Sequence, residues 1–120
     1  MKNKVLIIDD DSRNIFALSA ILKTKSFICY TEQDSLVAVE LLKSDLEIDA
    51  ILLDMMMPEM DGYDMIPVIK TIAHRRDTPI IAVTAQAMVG DKEKCLAAGA
   101  DDYISKPIDF DKLLQVLTNL

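Results

Sequence analysis

The sequence predicts an α/β domain in which a parallel five-stranded sheet is covered on both faces by helices. Five short apolar runs alternate with longer segments in which apolar residues recur at helical spacing. Three of the runs are continuous, which is typical of strands covered on both faces. A βα unit repeated five times favours a doubly wound parallel sheet with right-handed crossover connections.

The candidate strands are the apolar runs at residues 5–8, 28–30, 50–53, 80–83 and 103–104. The first, third and fourth runs each contain four apolar residues in a row, as expected of buried parallel strands. The last run is short, and it is assigned mainly from its place in the alternation.

The segments that follow the runs have the spacing of helices. Their apolar positions are, in chain order, Ile15, Leu18, Ile21 and Leu22; Ala38, Leu41 and Leu42; Met65, Ile69, Ile72 and Ala73; Met88, Cys95 and Leu96; and Leu113, Leu114 and Leu117. We expect Asp11 or Ser12 to cap the first helix and Asp109 or Asp111 to cap the last. Gly99 suits a left-handed C-terminal cap after the fourth helix.

Composition disfavours several classes of protein. The chain has 120 residues, which fits one domain, and 51% of them are hydrophobic, which indicates a globular fold. Its net charge of −7 disfavours direct binding to nucleic acid or to an anionic membrane. The spacing of Cys29 and Cys95 indicates neither a metal site nor a disulfide framework. The apolar stretch near the N-terminus is too short for a signal peptide or a spanning helix, so we expect a cytoplasmic protein.

Polar side chains follow the apolar runs where the strands are expected to end. They are Asp9, Asp10, Asp11, Asp54, Thr84 and Lys106. Sites in doubly wound sheets form beyond the carboxyl ends of the strands, so these groups are expected to meet. Carboxylates about 4 Å apart repel one another by about 4 kcal/mol per pair at an effective dielectric of about 20. A cation among them is therefore expected, and Mg²⁺ fits because it binds carboxylates and accepts phosphate oxygens.

These groups suit phosphoryl transfer, in which positioning and charge neutralisation supply most of the catalysis. An aspartate can itself be the nucleophile and form an acyl phosphate. The candidate is Asp54, which stands alone after a central apolar run, while Asp9 and Asp10 can hold the metal. Lys106 supplies a positive charge and Thr84 a hydroxyl donor.

The sequence resembles the receiver domain of bacterial two-component response regulators over essentially its whole length. The resemblance is carried by VLIIDDD at 5–11, ILLDMMMPEMDG at 51–62, VTA at 83–85 and GADDYISKP at 99–107. It implies that residues 1–120 form a single receiver domain with a flavodoxin-like, three-layer fold and strand order 2-1-3-4-5. The Met-rich loop at 54–62 is more similar to the receivers of hybrid sensor histidine kinases.

The resemblance also implies a role for each site residue. Asp54 would accept a phosphoryl group from a phosphohistidine. Asp9, Asp10 and Asp54 would bind Mg²⁺ together with the backbone carbonyl of Met56. Lys106 would bridge to the phosphoryl group.

Further positions are implied on the fourth and fifth strands. Thr84 would turn inward to bond a phosphoryl oxygen, and Tyr103 would swing between exposed and buried positions in concert. Ala85 belongs to the same site as Thr84, and the peptide bond before Pro107 would be cis.

Two positions are expected to border the phosphoryl group in this family. Met56 lies two residues after Asp54, and Gln86 lies two residues after Thr84. Both would affect how easily water lines up on the acyl phosphate, and therefore its lifetime.

The predicted function is a phosphorylation-dependent signalling switch rather than an enzyme with a separate substrate. Its partner would be a histidine kinase or a histidine phosphotransfer protein. Its output would be a changed surface on the fourth helix, fifth strand and fifth helix. We expect a monomer or a phosphorylation-dependent dimer.

Two alternatives belong to other classes. A haloacid-dehalogenase-like phosphohydrolase would also use an aspartyl phosphate, and Asp9 and Asp11 have its DxD spacing. Its lysine, however, precedes the second acidic pair, whereas Lys106 follows Asp101 and Asp102, and the chain has no room for a substrate cap. A flavodoxin-like binding module would need a glycine-rich or Ser/Thr-rich phosphate loop, which the three glycines do not form.

Overall fold

The computed structural model of the chain describes residues 2–85 and 90–120. The strands in these residues are β1 (Lys4–Ile8), β2 (Ile28–Glu32), β3 (Ala50–Asp54), β4 (Ile80–Thr84) and β5 (Asp102–Ser105). The helices are α1 (Ser12–Thr24), α2 (Ser35–Lys43), α3 (Gly62–Thr71), α4 (Asp91–Ala97) and α5 (Phe110–Thr118), with one 3₁₀ turn at Ala73–Arg75. Each predicted apolar run lies within a strand, so the predicted βα order is confirmed. Met88, which we placed in the fourth helical segment, lies outside the described residues.

The five strands form one parallel sheet in the order β2-β1-β3-β4-β5, which confirms the predicted order. In this register Ile8 pairs with Leu53, and Asp54 pairs with Val83. Thr84 pairs with Ser105. The carboxyl ends of β1, β3, β4 and β5 are therefore nearly level, and the residues that follow them share one edge of the sheet.

The core lies on both faces of the sheet, as predicted for a three-layer sandwich. Along β1, Leu6 and Ile8 pack on one face, whereas Val5 and Ile7 pack on the other. The first face contacts buried residues of α2, α3 and α4. The second contacts buried residues of α1 and α5. Every residue of β3 and β4 is buried, so these two strands provide a rigid base for the groups at their ends.

Aspartate side chains cap the N-termini of four helices. They are Asp11 for α1, Asp34 for α2, Asp61 for α3 and Asp109 for α5. Asp11 and Asp109 are each one of the two caps that we predicted for their helix. The exception is α4, which follows Gly90 and has no side-chain hydrogen bond at its N-terminal cap. Caps fix where a helix begins, so α4 starts under weaker local control than its neighbours.

Gly99 ends α4 in the predicted left-handed conformation, with φ of 113°. Its N–H donates to the carbonyl of Leu96 at 3.0 Å, and the next N–H donates to the carbonyl of Cys95 at 3.2 Å. A Cβ at this position would lie 2.8 Å from Ile66 Cγ2, so space as well as conformation favours glycine. Among the described residues, no helix is long and apolar enough to cross a lipid bilayer.

Candidate functional site at the carboxyl edge of the sheet

Three carboxylates meet where β1 and β3 end. Asp9, Asp10 and Asp54 each place an oxygen within 4.8 Å of the others. Asp9 and Asp54 are each only 2% exposed, whereas Asp10 is exposed. Burying two carboxylates this close together costs free energy unless a positive charge lies beside them. These three residues can hold a divalent metal ion, and their oxygen ligands suit Mg²⁺.

Lys106 brings a positive charge to the same place. Its ammonium nitrogen lies 3.4 Å from Asp9 Oδ2 and 3.6 Å from Asp54 Oδ2. The backbone N–H of Lys106 donates to the carbonyl of Thr84 at 2.7 Å, which ties the loop after β5 to β4. The peptide bond from Lys106 to Pro107 is cis. One ammonium does not balance three carboxylates, so the site keeps a net negative charge that attracts a cation.

Neighbouring donors orient the two buried carboxylates. The N–H of Met56 donates to Asp54 Oδ1 at 3.0 Å, and the N–H of Asp11 donates to Asp9 Oδ1 at 2.9 Å. The side-chain amide of Asn14, in the first turn of α1, donates to Asp9 Oδ2. Sequence reasoning missed Asn14, although a polar residue one turn beyond the Asp9–Asp11 cluster was a usable signal. These contacts fix the carboxylates before any ligand arrives.

The environment changes the acidity of Asp54. Burial raises the pKa of Asp54 from 3.8 to about 6. The Met56 N–H and the Lys106 ammonium lower this pKa, whereas the Asp9 carboxylate raises it. At neutral pH Asp54 is therefore mostly ionised, and its charge is held at a cost in free energy.

Thr84 is buried at the end of β4 and contacts α4. Its hydroxyl donates to Asp91 Oδ2 at 3.3 Å. Asp91, the first residue of α4, is 6% exposed. Sequence reasoning did not identify Asp91, since its importance depends on a tertiary contact. The Thr84 hydroxyl thus approaches a carboxylate of the helix layer.

The remaining predicted site positions are Met56, Ala85, Gln86 and Tyr103. Tyr103 is half-buried in β5 and packs against the core cluster that contains Cys95 of α4. Met56 is 52% exposed, and Ala85 is exposed. Gln86 lies outside the described residues. Tyr103 is therefore partly covered by this core cluster, whereas about half of Met56 is exposed.

The second acidic pair, Asp101 and Asp102, lies at the other end of the sheet. Asp101 Oδ2 accepts the N–H of Ile80 at 2.8 Å, at the amino end of β4. Asp102 pairs with Ile81 in the strand register. The haloacid-dehalogenase-like hypothesis needs this pair at the metal site, so the geometry counts against it.

Comparison with known proteins decides the family. The response regulator receiver domain profile matches residues 5–118 of the chain. The chain belongs to this family. The matched residues run from β1 to the end of α5, so they include the entire sheet and the acidic cluster. Receiver domains are signalling modules of two-component systems.

Relatives of this receiver domain occur in two kinds of protein. It is 40% identical over 113 residues, 94% of its length, to the signal transduction histidine-protein kinase BarA of Shigella flexneri. It is 33% identical over 109 residues, 91% of its length, to the heme response regulator HssR of Staphylococcus aureus. The chain spans only 12% of the length of BarA and 47% of the length of HssR. Receiver domains of this sequence type therefore occur in both sensor kinases and response regulators.

A solved receiver domain with the same fold contains a metal ion. It is the receiver of the sensor histidine kinase PA1611 from Pseudomonas aeruginosa PAO1, with magnesium coordinated in its active-site cleft. It is 33% identical to this chain with a TM-score of 0.88, and the alignment covers 99% of this chain and 97% of that one. The carboxylate cluster of the present receiver domain offers the oxygen ligands for an ion of this kind.

Proposed function

We propose that this receiver domain accepts a phosphoryl group on Asp54 from a phosphohistidine, with Mg²⁺ bound in the acidic cluster. The observation that carries the proposal is the position of the Lys106 ammonium, within 3.6 Å of Asp54 and 3.4 Å of Asp9. A fixed positive charge beside a buried, ionised aspartate suits the transfer of an anionic group. Residues 1–120 would act as one switching unit.

The chemistry follows from the roles of individual side chains. A carboxylate oxygen of Asp54 attacks phosphorus, and the bond from phosphorus to the donor imidazole nitrogen breaks with its electron pair. Asp9, Asp10 and Asp54, with the backbone carbonyl of Met56, would hold the metal. A bound Mg²⁺ supplies neutralisation of charge on the transferring oxygens. Lys106, whose ammonium lies 3.6 Å from Asp54 Oδ2, would stabilise the same charge.

The signal would leave the site through Thr84 and Tyr103. Thr84 turns its hydroxyl to a phosphoryl oxygen, and Tyr103 changes its exposure in concert. Both residues lie on strands beside α4, so the surface formed by α4, β5 and α5 would change. Met56, Ala85 and Gln86 would set the access of water to the acyl phosphate.

The partner would be a histidine kinase or a histidine phosphotransfer protein, and the compartment the cytoplasm. The 40% sequence identity to part of the histidine kinase BarA supports a role for this receiver domain in a phosphorelay. The net charge of −7 supports a partner other than nucleic acid or an anionic membrane. In this role the chain is a switch rather than an enzyme, and it would be a monomer or a phosphorylation-dependent dimer.

Labelling with acetyl phosphate and Mg²⁺ tests the proposal, with incorporated phosphate measured by intact mass. We expect one phosphoryl group per chain in the unmodified protein and none in Asp54→Asn. Asp77→Asn is the matched control, because Asp77 is exposed and lies near the amino end of β4. Undiminished labelling of Asp54→Asn would contradict the proposal. Steady turnover of p-nitrophenyl phosphate would instead favour a phosphohydrolase.

A further inference from the structure

The contact between Thr84 and Asp91 joins the last residue of β4 to the first residue of α4. The Thr84 hydroxyl donates to Asp91 Oδ2 at 3.3 Å, and both residues are buried. A buried carboxylate is costly unless it accepts hydrogen bonds. The Thr84 hydroxyl therefore helps to keep Asp91, and the start of α4, in its buried position.

Among the described residues, α4 is the shortest of the five helices. It has seven residues, of which Asp91 and Cys95 are buried. Cys95 Sγ lies 3.7 Å from the hydroxyl of Tyr63 in α3, a weak polar contact. Gly90 supplies no side-chain cap, unlike the aspartates that begin the four other described helices. The contact between Thr84 and Asp91 thus joins β4 to a helix end that Gly90 leaves without a side-chain cap.

A threonine hydroxyl carries one proton, so it donates to one acceptor at a time. Under the proposed function, a phosphoryl group on Asp54 is a second anionic acceptor for the Thr84 hydroxyl. The Asp91 carboxylate and the phosphoryl oxygen would then compete for the same donor. Whichever acceptor loses the competition is left with one hydrogen bond fewer.

We propose that Asp91 is a positioning residue that holds the Thr84 hydroxyl toward α4 in the unphosphorylated chain and releases it on phosphorylation. The inference rests on the proposed function and deepens it. When Thr84 turns to the phosphoryl oxygen, the Asp91 carboxylate loses a donor while still buried. This state is unfavourable, so the start of α4 moves until water can reach the carboxylate. The charge at Asp54 is thereby coupled to the position of α4.

The test compares rates of labelling by acetyl phosphate with Mg²⁺ in Asp91→Ala and the unmodified chain. Without the competing acceptor, Asp91→Ala should be labelled roughly three- to tenfold faster, the range expected for loss of one hydrogen bond. Asp91→Asn keeps an acceptor oxygen and should show a smaller increase. Glu93→Ala is the matched control, since it removes an exposed carboxylate from the same turn of α4 and should leave the rate unchanged.

A Thr84→Val background separates this mechanism from simple charge repulsion. If Asp91 acts through Thr84, adding Asp91→Ala to Thr84→Val should change the rate less than twofold. An equal increase in both backgrounds, or no increase in Asp91→Ala or Asp91→Asn, would overturn the inference while leaving the proposed function intact. Absence of labelling in the unmodified chain would overturn the proposed function itself. Circular dichroism of each variant confirms that the compared chains are folded.

Discussion

The carboxylates of Asp9 and Asp54 lie within 4.8 Å of each other although both residues are almost fully buried. Asp9 directly follows β1 and Asp54 is the last residue of the adjacent strand β3, and the register places the ends of these strands side by side. The fold therefore brings two negative charges together and supplies Lys106 as a single positive neighbour. Three predictions follow from this arrangement and the contacts that support it, and a fourth concerns the separate buried residue Arg75.

Replacing Asp54 should stabilise the metal-free protein at alkaline pH. Burial raises the pKa of Asp54 to about 6 in the folded chain, above the value of 3.8 for an unperturbed carboxyl. A raised pKa favours folding of the protonated form. Its contribution to the free energy of unfolding is fully present below pH 3.8, the unperturbed pKa, and is lost as the pH rises through about 6, the pKa in the folded chain. Asp54→Asn should therefore raise the free energy of unfolding by about 1 to 3 kcal/mol at pH 8 in chelator.

Urea unfolding at two pH values measures this effect. We expect the difference between Asp54→Asn and the unmodified chain to be about half as large at pH 5 as at pH 8. Asp77→Asn, at an exposed aspartate, should show little difference at either pH. A variant that is less stable than the unmodified chain at pH 8 would show that the charge on Asp54 is not held at a cost.

Mg²⁺ should stabilise the protein by binding the acidic cluster. At a concentration about 100 times its Kd, a ligand adds about 2.7 kcal/mol to the free energy of unfolding. For a domain of this size, the melting temperature should then rise by roughly 10 °C. Asp9→Asn and Asp10→Asn should each abolish most of the rise, whereas Asp77→Asn should retain it. Equal shifts in all of these variants would place the ion elsewhere.

Removing the amide of Asn14 should weaken metal binding without removing a ligand. The Asn14 side chain donates to Asp9 Oδ2 and so holds the carboxylate in one orientation. Loss of such a supporting contact typically lowers metal affinity by roughly tenfold or more. Isothermal titration of Asn14→Ala with Mg²⁺ measures the change. The neighbouring exposed Arg13, replaced by alanine, is the control, and equal affinities for the two variants would refute this role.

Arg75 should be important for stability but not for labelling at Asp54. It is 4% exposed in the 3₁₀ turn after α3, and its guanidinium donates to backbone carbonyls in the last turn of α2 and in the loop that follows it. The acceptors are Leu42 at 2.8 Å, Ser44 at 3.0 Å and Leu46 at 2.6 Å. Arg75→Met would leave these carbonyls without their donor and should cost about 3 kcal/mol of unfolding free energy.

Chemical denaturation of Arg75→Met beside Arg76→Met checks this expectation, because Arg76 is the exposed neighbour in sequence. The first variant should unfold at a clearly lower urea concentration, and the second should be close to the unmodified chain. Labelling of folded Arg75→Met by acetyl phosphate should be normal. Equal unfolding free energies for Arg75→Met and Arg76→Met would contradict this expectation, since they would show that water can replace the hydrogen bonds of the Arg75 guanidinium.

The sequence was sufficient to predict the sheet and the acidic cluster because both depend on local patterns. Continuous apolar runs indicate buried strands, and the carboxyl ends of parallel strands lie at one edge of the sheet. Asp9, Asp54 and Lys106 were therefore predicted to lie close together. The contacts of Asn14, Asp91 and Arg75 could not be predicted in this way. Arg75 and Arg76 are adjacent arginines that the sequence does not distinguish. Arg75 is buried because the 3₁₀ turn after α3 packs against the end of α2, whereas Arg76 is exposed.

Asp54 lies at the end of β3, a strand in which every residue is buried, whereas α4 begins after Gly90 without a side-chain cap. Under the proposed function, the accepting aspartate and the changing surface therefore lie on separate elements of the fold. Substitutions on the outer face of α4 would then change which protein is recognised and leave the geometry of Asp54 intact. One acceptor site would serve different signalling routes through changes in one short helix.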